Sequence, residues 1–282
     1  MITVFTSTYN RAYRLPNLYN SLCKQTSKNF EWLIVDDGSK DNTKELCDEW
    51  IKEGLVDIRY YFKENGGKHR AINLGVLKAK GELFFIVDSD DELEIDSIEA
   101  VEKMYDTIKT DTSFAGVSGL KILPNGEPVA GYLQNDFVDW YMYERKYDYD
   151  MSEVYRTEVL KKYPFPDFEG ENFCAESLIW NRIGLHYRIR YFNKGIYQCE
   201  YLGDGLSANN LRNRRNSPSY ACLLYKELQN KKFPLKWRVN GCINYWRFWL
   251  VQRNRNLEIL PFYMYLLFPL GWLLKIKDDM NV

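Results

Sequence analysis

Short apolar runs alternate with amphipathic stretches along the first 120 residues. The runs predict strands at 2–6, 30–35, 58–62, 83–87 and 114–120. The stretches between them show helical spacing and predict helices at 15–25, 43–53, 68–79 and 95–108. The strands are continuously apolar rather than alternating, which is typical of strands buried on both faces. The pattern therefore predicts βαβ units with a mainly parallel sheet in this half of the chain.

A polar cluster follows each of the first four predicted strands. These clusters read TSTYNR from residue 6, DDGS from residue 36, ENGGKHR from residue 64 and DSDD from residue 88. In open α/β sheets, ligands bind beyond the carboxyl ends of the strands. We therefore expect the four clusters to converge on one edge of the sheet and to form one site.

The regular alternation of predicted strands and helices ends after residue 120. Asn125 and Gly126 predict a hairpin turn, residues 163–170 a loop and residues 175–183 a helix. From residue 220 onward the pattern is again helical. The beginning of the helix at 43–53 offers Asp41 or Asn42 as its cap.

Asp88, Asp90 and Asp91 concentrate negative charge at the end of the fourth strand, with no basic residue beside them in sequence. An EF-hand loop beginning at Asp88 would need glycine where Leu93 stands, so that calcium motif is excluded. Capping of the next helix would explain one of the acids but not all three. The alternative is a hard divalent cation, Mg²⁺ or Mn²⁺, held by one or two carboxylates and completed by phosphate oxygens and water.

Composition narrows the functional classes. The net charge of −1, from 38 Lys+Arg against 39 Asp+Glu, argues against a general nucleic-acid binder. Two histidines exclude a histidine-rich zinc site, and six cysteines without a CxxC pair suggest free thiols in a reducing compartment. The segment MITVFTSTYN has no secretory signal, so we expect a cytoplasmic protein. No G-x-G-x-x-G follows the first strand, which argues against an NAD-binding domain.

The four clusters, in this order, resemble the motifs of family 2 glycosyltransferases of the GT-A fold over roughly residues 1–205. The resemblance implies an α/β fold with a Rossmann-like mixed sheet flanked by helices, followed by a C-terminal helical extension. Residues 1–120 would then be the nucleotide-sugar-binding half, 121–215 the acceptor-binding half and 216–282 the aromatic and basic extension.

The same resemblance assigns residues of the donor site. Ser7 and Tyr9 would border the base and ribose, and Asp37, with its neighbour Asp36, would accept a hydrogen bond from a uracil N–H. Asp90 would bind the metal, with Asp91 as a further ligand or as a neighbour of the ligands. The remaining residues assigned to the nucleotide-sugar are Gly67, Lys68, Arg70, Asp88 and Ser89.

Inverting transfer needs a base for the acceptor hydroxyl. Family members carry this acid at the start of a helix, and CAESLIWNR offers Glu176 with Leu178 and Arg182 at the matching spacing. Ala175 stands where the family has a first acid, and Glu171 in FEGENF is the rival base. No Q-x-x-R-W motif follows, so we expect one sugar per encounter. Arg212, Arg214 and Arg215 are either a loop over the diphosphate or a solvated basic surface.

Residues 259–274 contain no charge but are interrupted by Pro261, Pro269 and Gly271, and are shorter than a spanning helix. With Lys275 and Lys277 beyond them, residues 259–277 predict peripheral contact with the inner face of an anionic plasma membrane. A helical cap on the domain, or a homodimer contact, is the alternative.

The expected activity is transfer of a hexose from a UDP-sugar to a glycan or lipid-linked sugar acceptor. Two other functions fit parts of the pattern. A nucleotidyltransferase would also pair a nucleotide with acidic metal ligands, but would carry a glycine-rich basic motif where TSTYNR stands. A non-catalytic GT-A-like sugar-binding domain would not need the intact acids.

Overall fold

The computed structural model describes residues 1–144, 150–199, 209–253 and 260–280. The chain divides into two compact units. The first comprises residues 1–164 and 182–201, and the second comprises residues 165–181 and 202–282. No break falls at residue 120, because strands on both sides of that position belong to one sheet.

In the described part of the first unit, nine strands form this sheet. They are β1 (Ile2–Thr8), β2 (Phe30–Asp36), β3 (Ile58–Phe62), β4 (Leu83–Ile86), β5 (Glu92–Leu93), β6 (Phe114–Ile122), β7 (Phe137–Trp140), β8 (Met151–Arg156) and β9 (Arg188–Gln198). The order is β3-β2-β1-β4-β8-β6-β9-β5, and β7 also pairs with β9. The first four strands are mutually parallel, as predicted, whereas β8 runs antiparallel to β4 and β6. The sheet as a whole is therefore mixed.

The predicted helices between these strands are present with small differences at their ends. They are α1 (Leu15–Cys23), α2 (Thr43–Glu53), α3 (Lys68–Lys78) and α4 (Ser97–Asp106). Helix α5 (Thr157–Lys162) was not predicted, and the predicted α6 (Ser177–Gly184) follows it. Helix α6 begins two residues later than predicted. The turn at Asn125 and Gly126 is confirmed: the Gly126 N–H donates to the Leu123 carbonyl, and Gly126 has a φ of +84°.

Helices α1 to α4 pack against strands of the sheet. In α1 the buried residues Leu15, Leu18 and Leu22 recur at helical spacing. A side chain at Gly75 of α3 would lie 2.2 Å from the ring of Phe5, so glycine allows α3 to pass close over β1. This packing fixes the ends of β1 and α3, where two of the polar clusters lie.

The start of α2 uses Asp41 rather than Asn42. The Asp41 carboxylate accepts hydrogen bonds from the Thr43 N–H (3.2 Å) and the Thr43 hydroxyl (2.6 Å), while Asn42 makes no capping bond with its side chain. The second carboxylate oxygen accepts the Ala12 N–H at 3.0 Å. Asp41 therefore ties the start of α2 to the segment that follows β1.

The second unit is helical. It contains α7 (Asn210–Asn216), α8 (Pro218–Glu227), α9 (Leu235–Trp249), α10 (Phe262–Leu266) and α11 (Phe268–Met280). Its core is formed by side chains of α8, α9 and α10 together with Leu260. Arg247 of α9 binds the buried Asp278 of α11 through two hydrogen bonds of 2.7 and 2.6 Å. No helix in the described residues is both long and apolar enough to cross a membrane.

The basic segment 212–215 is helical rather than a loop. Arg214 donates to the Tyr225 hydroxyl at 2.8 Å, and Arg215 binds Asp279 at 2.6 Å. Of the two alternatives that the sequence leaves for these arginines, the loop does not fit, because all three lie in the helix Asn210–Asn216.

Candidate active site

The polar clusters after β1 and β2 are joined by backbone and side-chain hydrogen bonds. The Asn10 N–H donates to the Ser39 hydroxyl at 2.9 Å, and the Asn10 side chain accepts the Lys40 N–H at 2.8 Å. Asn10 has a φ of +52°, a conformation that asparagine adopts more readily than most residues. The segment after β1 therefore folds over the end of β2.

Asp37 joins the cluster after β2 to the cluster after β3. Its buried carboxylate accepts the backbone N–H groups of Gly66 (3.0 Å) and Gly67 (2.7 Å). It also accepts the side-chain amide of Asn65 (3.3 Å) and binds the ammonium group of Lys63. Four donors are close to the capacity of one carboxylate. A uracil N–H would therefore have to replace one of them, and the long Asn65 bond is the weakest.

The glycines of this cluster allow the backbone to approach Asp37. Gly67 has a φ of +97°, a backbone conformation that residues with a side chain rarely adopt. Gly67 lies directly before α3, and the guanidinium group of Arg70 in the first turn donates to the Gly66 carbonyl. His69, for which the sequence predicts no role, is buried.

Two cationic side chains connect the acidic cluster after β4 to the clusters after β1 and β3. Lys68 forms an ion pair with Asp88, and Arg11, from the cluster after β1, lies 3.9 Å from Asp90. The four clusters are thus linked in a closed circuit: first to second, second to third, third to fourth and fourth to first. The predicted convergence on one sheet edge is confirmed. The acids also have protein cations beside them, which the sequence did not indicate.

The three acids lie in a β-turn in which the Asp91 N–H donates to the Asp88 carbonyl at 3.2 Å. The Asp88 and Asp90 side chains are partly exposed, 39% and 21%, whereas Asp91 is buried. Ser89, at the apex with Asp90, is also buried. The turn therefore presents two carboxylates to solvent and keeps the third inside.

The charges at this turn are unevenly compensated. Burial raises the pKa of Asp90, the negative charge of Asp88 raises it further, and Arg11 opposes this only in part. Burial acts to raise the pKa of Asp88 as well. The positive charge and hydrogen bond of Lys68 have the larger effect, so the pKa of Asp88 is lowered. A further cation beside Asp90 would relieve the repulsion between the two carboxylates.

The oxygen donors of this turn fit a hard divalent cation. The described residues contain no group of three or more His, Cys, Asp or Glu side chains that could by itself hold a metal ion. Asp90, with or without a second carboxylate, would therefore hold the cation only together with oxygens from a bound diphosphate, as is usual for Mg²⁺.

The remaining predicted donor-site residues lie at the same edge of the sheet. Ser7 is near the end of β1, and Tyr9 just beyond it is 46% exposed. Asp36 is buried at the end of β2, where its carboxylate accepts the Tyr60 hydroxyl and the Ser39 N–H, both at 2.7 Å. Asp36 therefore supports the turn after β2 from inside the fold.

The two candidate bases lie in the second unit and have different surroundings. Glu176 directly precedes α6 and is partly buried. The Glu171 carboxylate accepts the Ser219 N–H at 2.9 and 3.0 Å and the Tyr220 N–H at 3.2 Å, at the start of α8. Glu171 thus satisfies backbone groups that a helix leaves without partners.

Comparison with known proteins assigns the family. The family model described as glycosyl transferase family 2 matches residues 3–162. The chain belongs to glycosyl transferase family 2. It is 39% identical to glycosyltransferase GlyG of Streptococcus pneumoniae over 36% of this chain and 34% of GlyG. It is 29% identical to glycosyltransferase GlyA of the same species over 75% of this chain and 30% of GlyA, so the matches span about a third of these relatives.

Solved structures show the same fold at low identity. S. aureus TarS 1–349 in complex with UDP superimposes with a TM-score of 0.63 at 22% identity, over 88% of this chain and 70% of that one. The mannosyltransferase PcManGT from Pyrobaculum calidifontis, in complex with GDP-Man and Mn²⁺, gives 0.58 at 16% identity, over 99% and 79%. The GT-A fold expected for this family 2 chain is therefore confirmed.

Several residues at the site were not singled out from sequence. Arg11, Lys63 and Asn65 lie within or beside the quoted motifs, so their positions pointed to the site although their roles did not. Tyr197, whose hydroxyl contacts the acidic turn, comes from β9 and follows no motif. No local pattern in the sequence could have placed it there.

Proposed function

We propose that this protein transfers a hexose from a UDP-sugar to a hydroxyl of a cell-surface glycan precursor, with inversion at the anomeric carbon and with Mn²⁺ or Mg²⁺ as cofactor. The observation that carries the proposal is the closed circuit of four family motifs around the partly exposed Asp88 and Asp90 carboxylates. UDP as the carrier is supported by the structural similarity to TarS, which has been solved with UDP and with UDP-GlcNAc.

The donor would bind along the ends of β1 to β4. Ser7 and Tyr9 would border the base and ribose, and Asp37 would accept the uracil N–H after releasing Asn65. Asp88 would face the ribose hydroxyls, with Ser89 beside it. Lys68, Arg70 and Arg11 would supply positive charge for the diphosphate. In this proposal residues 1–120 form the donor half, and residues 121–215 form the acceptor half.

The transfer would be one in-line displacement. Glu176 would remove the proton from the acceptor hydroxyl as its oxygen attacks the anomeric carbon. The divalent cation would stabilise the negative charge of the departing diphosphate. Asp90 would hold that cation, and the raised pKa of Asp90 indicates a carboxylate that gains from a positive partner. Glu171 is a weaker candidate for the base because its carboxylate already accepts the backbone N–H groups of Ser219 and Tyr220.

A ligand panel tests this proposal directly. Thermal unfolding of the whole chain is measured with UDP-, GDP- and dTDP-sugars, each with Mn²⁺, with Mg²⁺ and with EDTA. We expect a UDP-sugar to raise the midpoint in the presence of metal and to release UDP slowly by hydrolysis. A panel in which no nucleotide-sugar stabilises the protein would refute the proposed donor class. Stabilisation by UTP with a sugar phosphate, and release of diphosphate, would indicate a nucleotidyltransferase instead.

We also propose that the second unit contacts the cytoplasmic face of the plasma membrane, where a lipid-linked acceptor would be reached. Helices α10 and α11 expose several large apolar side chains, namely Phe262, Leu266, Leu270, Trp272 and Leu273. Lys277 is exposed on α11, whereas Lys275 is paired with Asp279 at 2.5 Å. Ile259, the first residue of the predicted segment, lies outside the described residues. A homodimer contact through this surface is the alternative outcome of the test given below.

A further inference from the structure

The acidic turn is held from below by one tyrosine of a distant strand. Tyr197 lies near the end of β9 and is 2% exposed. Its hydroxyl accepts the Asp88 N–H at 3.0 Å and donates to the Asp91 carboxylate at 2.6 Å. One oxygen atom thus binds the first and the last residue of the turn that carries Asp90.

The ring of Tyr197 is itself fixed on two sides. Lys121 of β6 lies opposite Tyr197 in the sheet, with its ammonium nitrogen 5.3 Å from the ring centroid and 3.0 Å from the Asp150 carboxylate. The ring centroid of Phe85, in β4, lies 6.4 Å from that of Tyr197. Because the ring is held by neighbours on two strands, the hydroxyl has a defined position relative to the turn.

We infer that Tyr197 is the positioning residue of the metal-binding carboxylate, and that Asp91 serves as its anchor in the turn and not as a metal ligand. The inference rests on the proposed function and refines its assignment of Asp91. Because one hydroxyl binds both the first and the last residue of the turn, the turn holds Asp90 at its apex in a defined position. Asp91, buried and bonded to Tyr197, points away from the exposed side on which Asp88 and Asp90 lie.

The test compares Tyr197→Phe with Tyr191→Phe. Both changes remove one hydroxyl from a buried tyrosine of β9, but Tyr191 lies against Trp140, about 20 Å along the strand from Tyr197. UDP affinity is measured by calorimetry with Mn²⁺ and with EDTA. We expect Tyr197→Phe to weaken Mn²⁺-dependent UDP binding about 10- to 100-fold, the usual effect of losing a residue that orients a metal ligand. UDP binding in EDTA should fall much less than this, because the metal ligand takes no part in it, and Tyr191→Phe should match the wild type in both.

Asp91→Ala removes the same hydrogen bond from the other side. We expect it to weaken Mn²⁺-dependent binding as much as Tyr197→Phe does, and the double variant to be no weaker than either single variant. If Asp91 is a metal ligand, Asp91→Ala costs far more than Tyr197→Phe and the two losses add. That result, or a Tyr197→Phe protein with wild-type metal-dependent binding, overturns the inference.

A measurement without donor separates this inference from the proposed function. Amide hydrogen exchange of residues 88–91 is followed in the whole chain in the absence of nucleotide. Tyr197→Phe and Asp91→Ala should both accelerate exchange there, whereas Tyr191→Phe should not. Unchanged exchange in both variants refutes the positioning role even if UDP binds. Failure of the wild type to bind UDP refutes the donor assignment but leaves the exchange result to decide the role of Tyr197.

Discussion

The Glu171 carboxylate accepts the backbone N–H of Ser219 at 2.9 Å, which places it at the first turn of α8. A second hydrogen bond, from the Tyr220 N–H, adds to this role. A carboxylate at a helix N-terminus also interacts favourably with the helix dipole. Glu171 therefore has a structural role at the start of α8.

The same substitution at both positions should separate catalysis from stability. Glu176→Gln keeps the size of the side chain but cannot accept a proton, so turnover should fall by about two to four orders of magnitude. UDP affinity should not change, because this group acts on the acceptor. Glu171→Gln should keep its turnover and lose about 1.5–3 kcal/mol of unfolding free energy, the usual contribution of hydrogen bonds to a charged group. Steady-state kinetics and denaturant unfolding of both variants provide the measurements. Normal turnover in Glu176→Gln, with collapse in Glu171→Gln, would reverse the assignment.

Replacing the proposed metal ligand should remove metal dependence without unfolding the protein. Asp90→Asn relieves the repulsion from Asp88, so we expect unchanged or slightly higher stability together with loss of Mn²⁺-dependent UDP binding. Asp96→Asn is the matched control, since Asp96 belongs to the same acidic stretch but pairs with Lys194 at 2.8 Å. Calorimetry with UDP, with and without metal, is the measurement. Undiminished metal-dependent binding in Asp90→Asn would show that another residue holds the cation.

A buried acid in β2 predicts a pH-dependent contribution to stability. Glu31 is fully buried and binds the Thr3 hydroxyl (2.7 Å), the Lys80 N–H (2.7 Å) and the Arg59 guanidinium (3.0 Å). Burial acts to raise the pKa of Glu31, but these three partners outweigh it and the pKa is lowered. A lowered folded-state pKa gives stability that is complete above the unfolded pKa and is lost as the pH falls through the folded value.

Glu31→Gln should therefore cost about 3 kcal/mol of unfolding free energy at neutral pH, the lower end for breaking a buried ion pair. Arg59 keeps the Lys78 carbonyl and the Tyr61 hydroxyl as acceptors, which limits the loss. The difference from the wild type should shrink below about pH 4.3, the ordinary glutamate value. Urea unfolding at a series of pH values checks this. A difference that stays constant down to pH 3 would mean that the charge of Glu31 is not what stabilises β2.

The membrane proposal is tested more sharply by substitution than by deletion of the tail. Removing the chain from residue 258 would also remove Met264, whose carbonyl accepts the Trp246 indole N–H at 2.7 Å, and Asp278, which binds Arg247. The triple variant Leu266→Ser, Leu270→Ser and Leu273→Ser changes only exposed side chains. We expect it to lose binding to anionic liposomes and to keep transfer to a soluble acceptor.

The control for that variant replaces three exposed leucines elsewhere, at Leu55, Leu77 and Leu235. It should bind liposomes as the wild type does. Raised salt should weaken binding of the wild type, because exposed lysines such as Lys277 would contribute through attraction to the headgroups. If the wild type does not bind liposomes and the triple variant changes oligomeric state, the surface is a subunit contact.

The sequence predicted the half of the fold in which local signals are strong. β1, β2 and β4 are largely apolar, buried runs, and α1 has one clear apolar face, so their positions follow from the local pattern. β3 was also predicted, although only Ile58 of its five residues is buried. Strands β5, β7, β8 and β9 were not predicted. β5 has only two residues, and β7 has no buried residue in its four. Such strands are defined by the neighbours with which they pair, and pairing is not visible in a local pattern.

The candidate site shows the same division. Motifs placed Asp37, Lys68 and Asp90 at one edge because parallel strands end together. Sequence did not show that Asp37 holds the glycine loop, that Arg11 faces Asp90 or that Tyr197 binds the turn. Each of these facts depends on contacts between residues far apart in the chain, and the Asp91–Tyr197 pair spans 106 positions.

The place of β8 between β4 and β6 has a consequence for how the protein is completed during synthesis. When the ribosome has polymerised β6, all four motifs exist, but β4 and β6 both lack β8, the strand that lies between them. Both edges then offer unpaired N–H and C=O groups, which are templates for aggregation with other chains. The sheet can close only after Arg156 has left the exit tunnel, so the nascent chain passes through an interval in which chaperones have an exposed strand edge to protect.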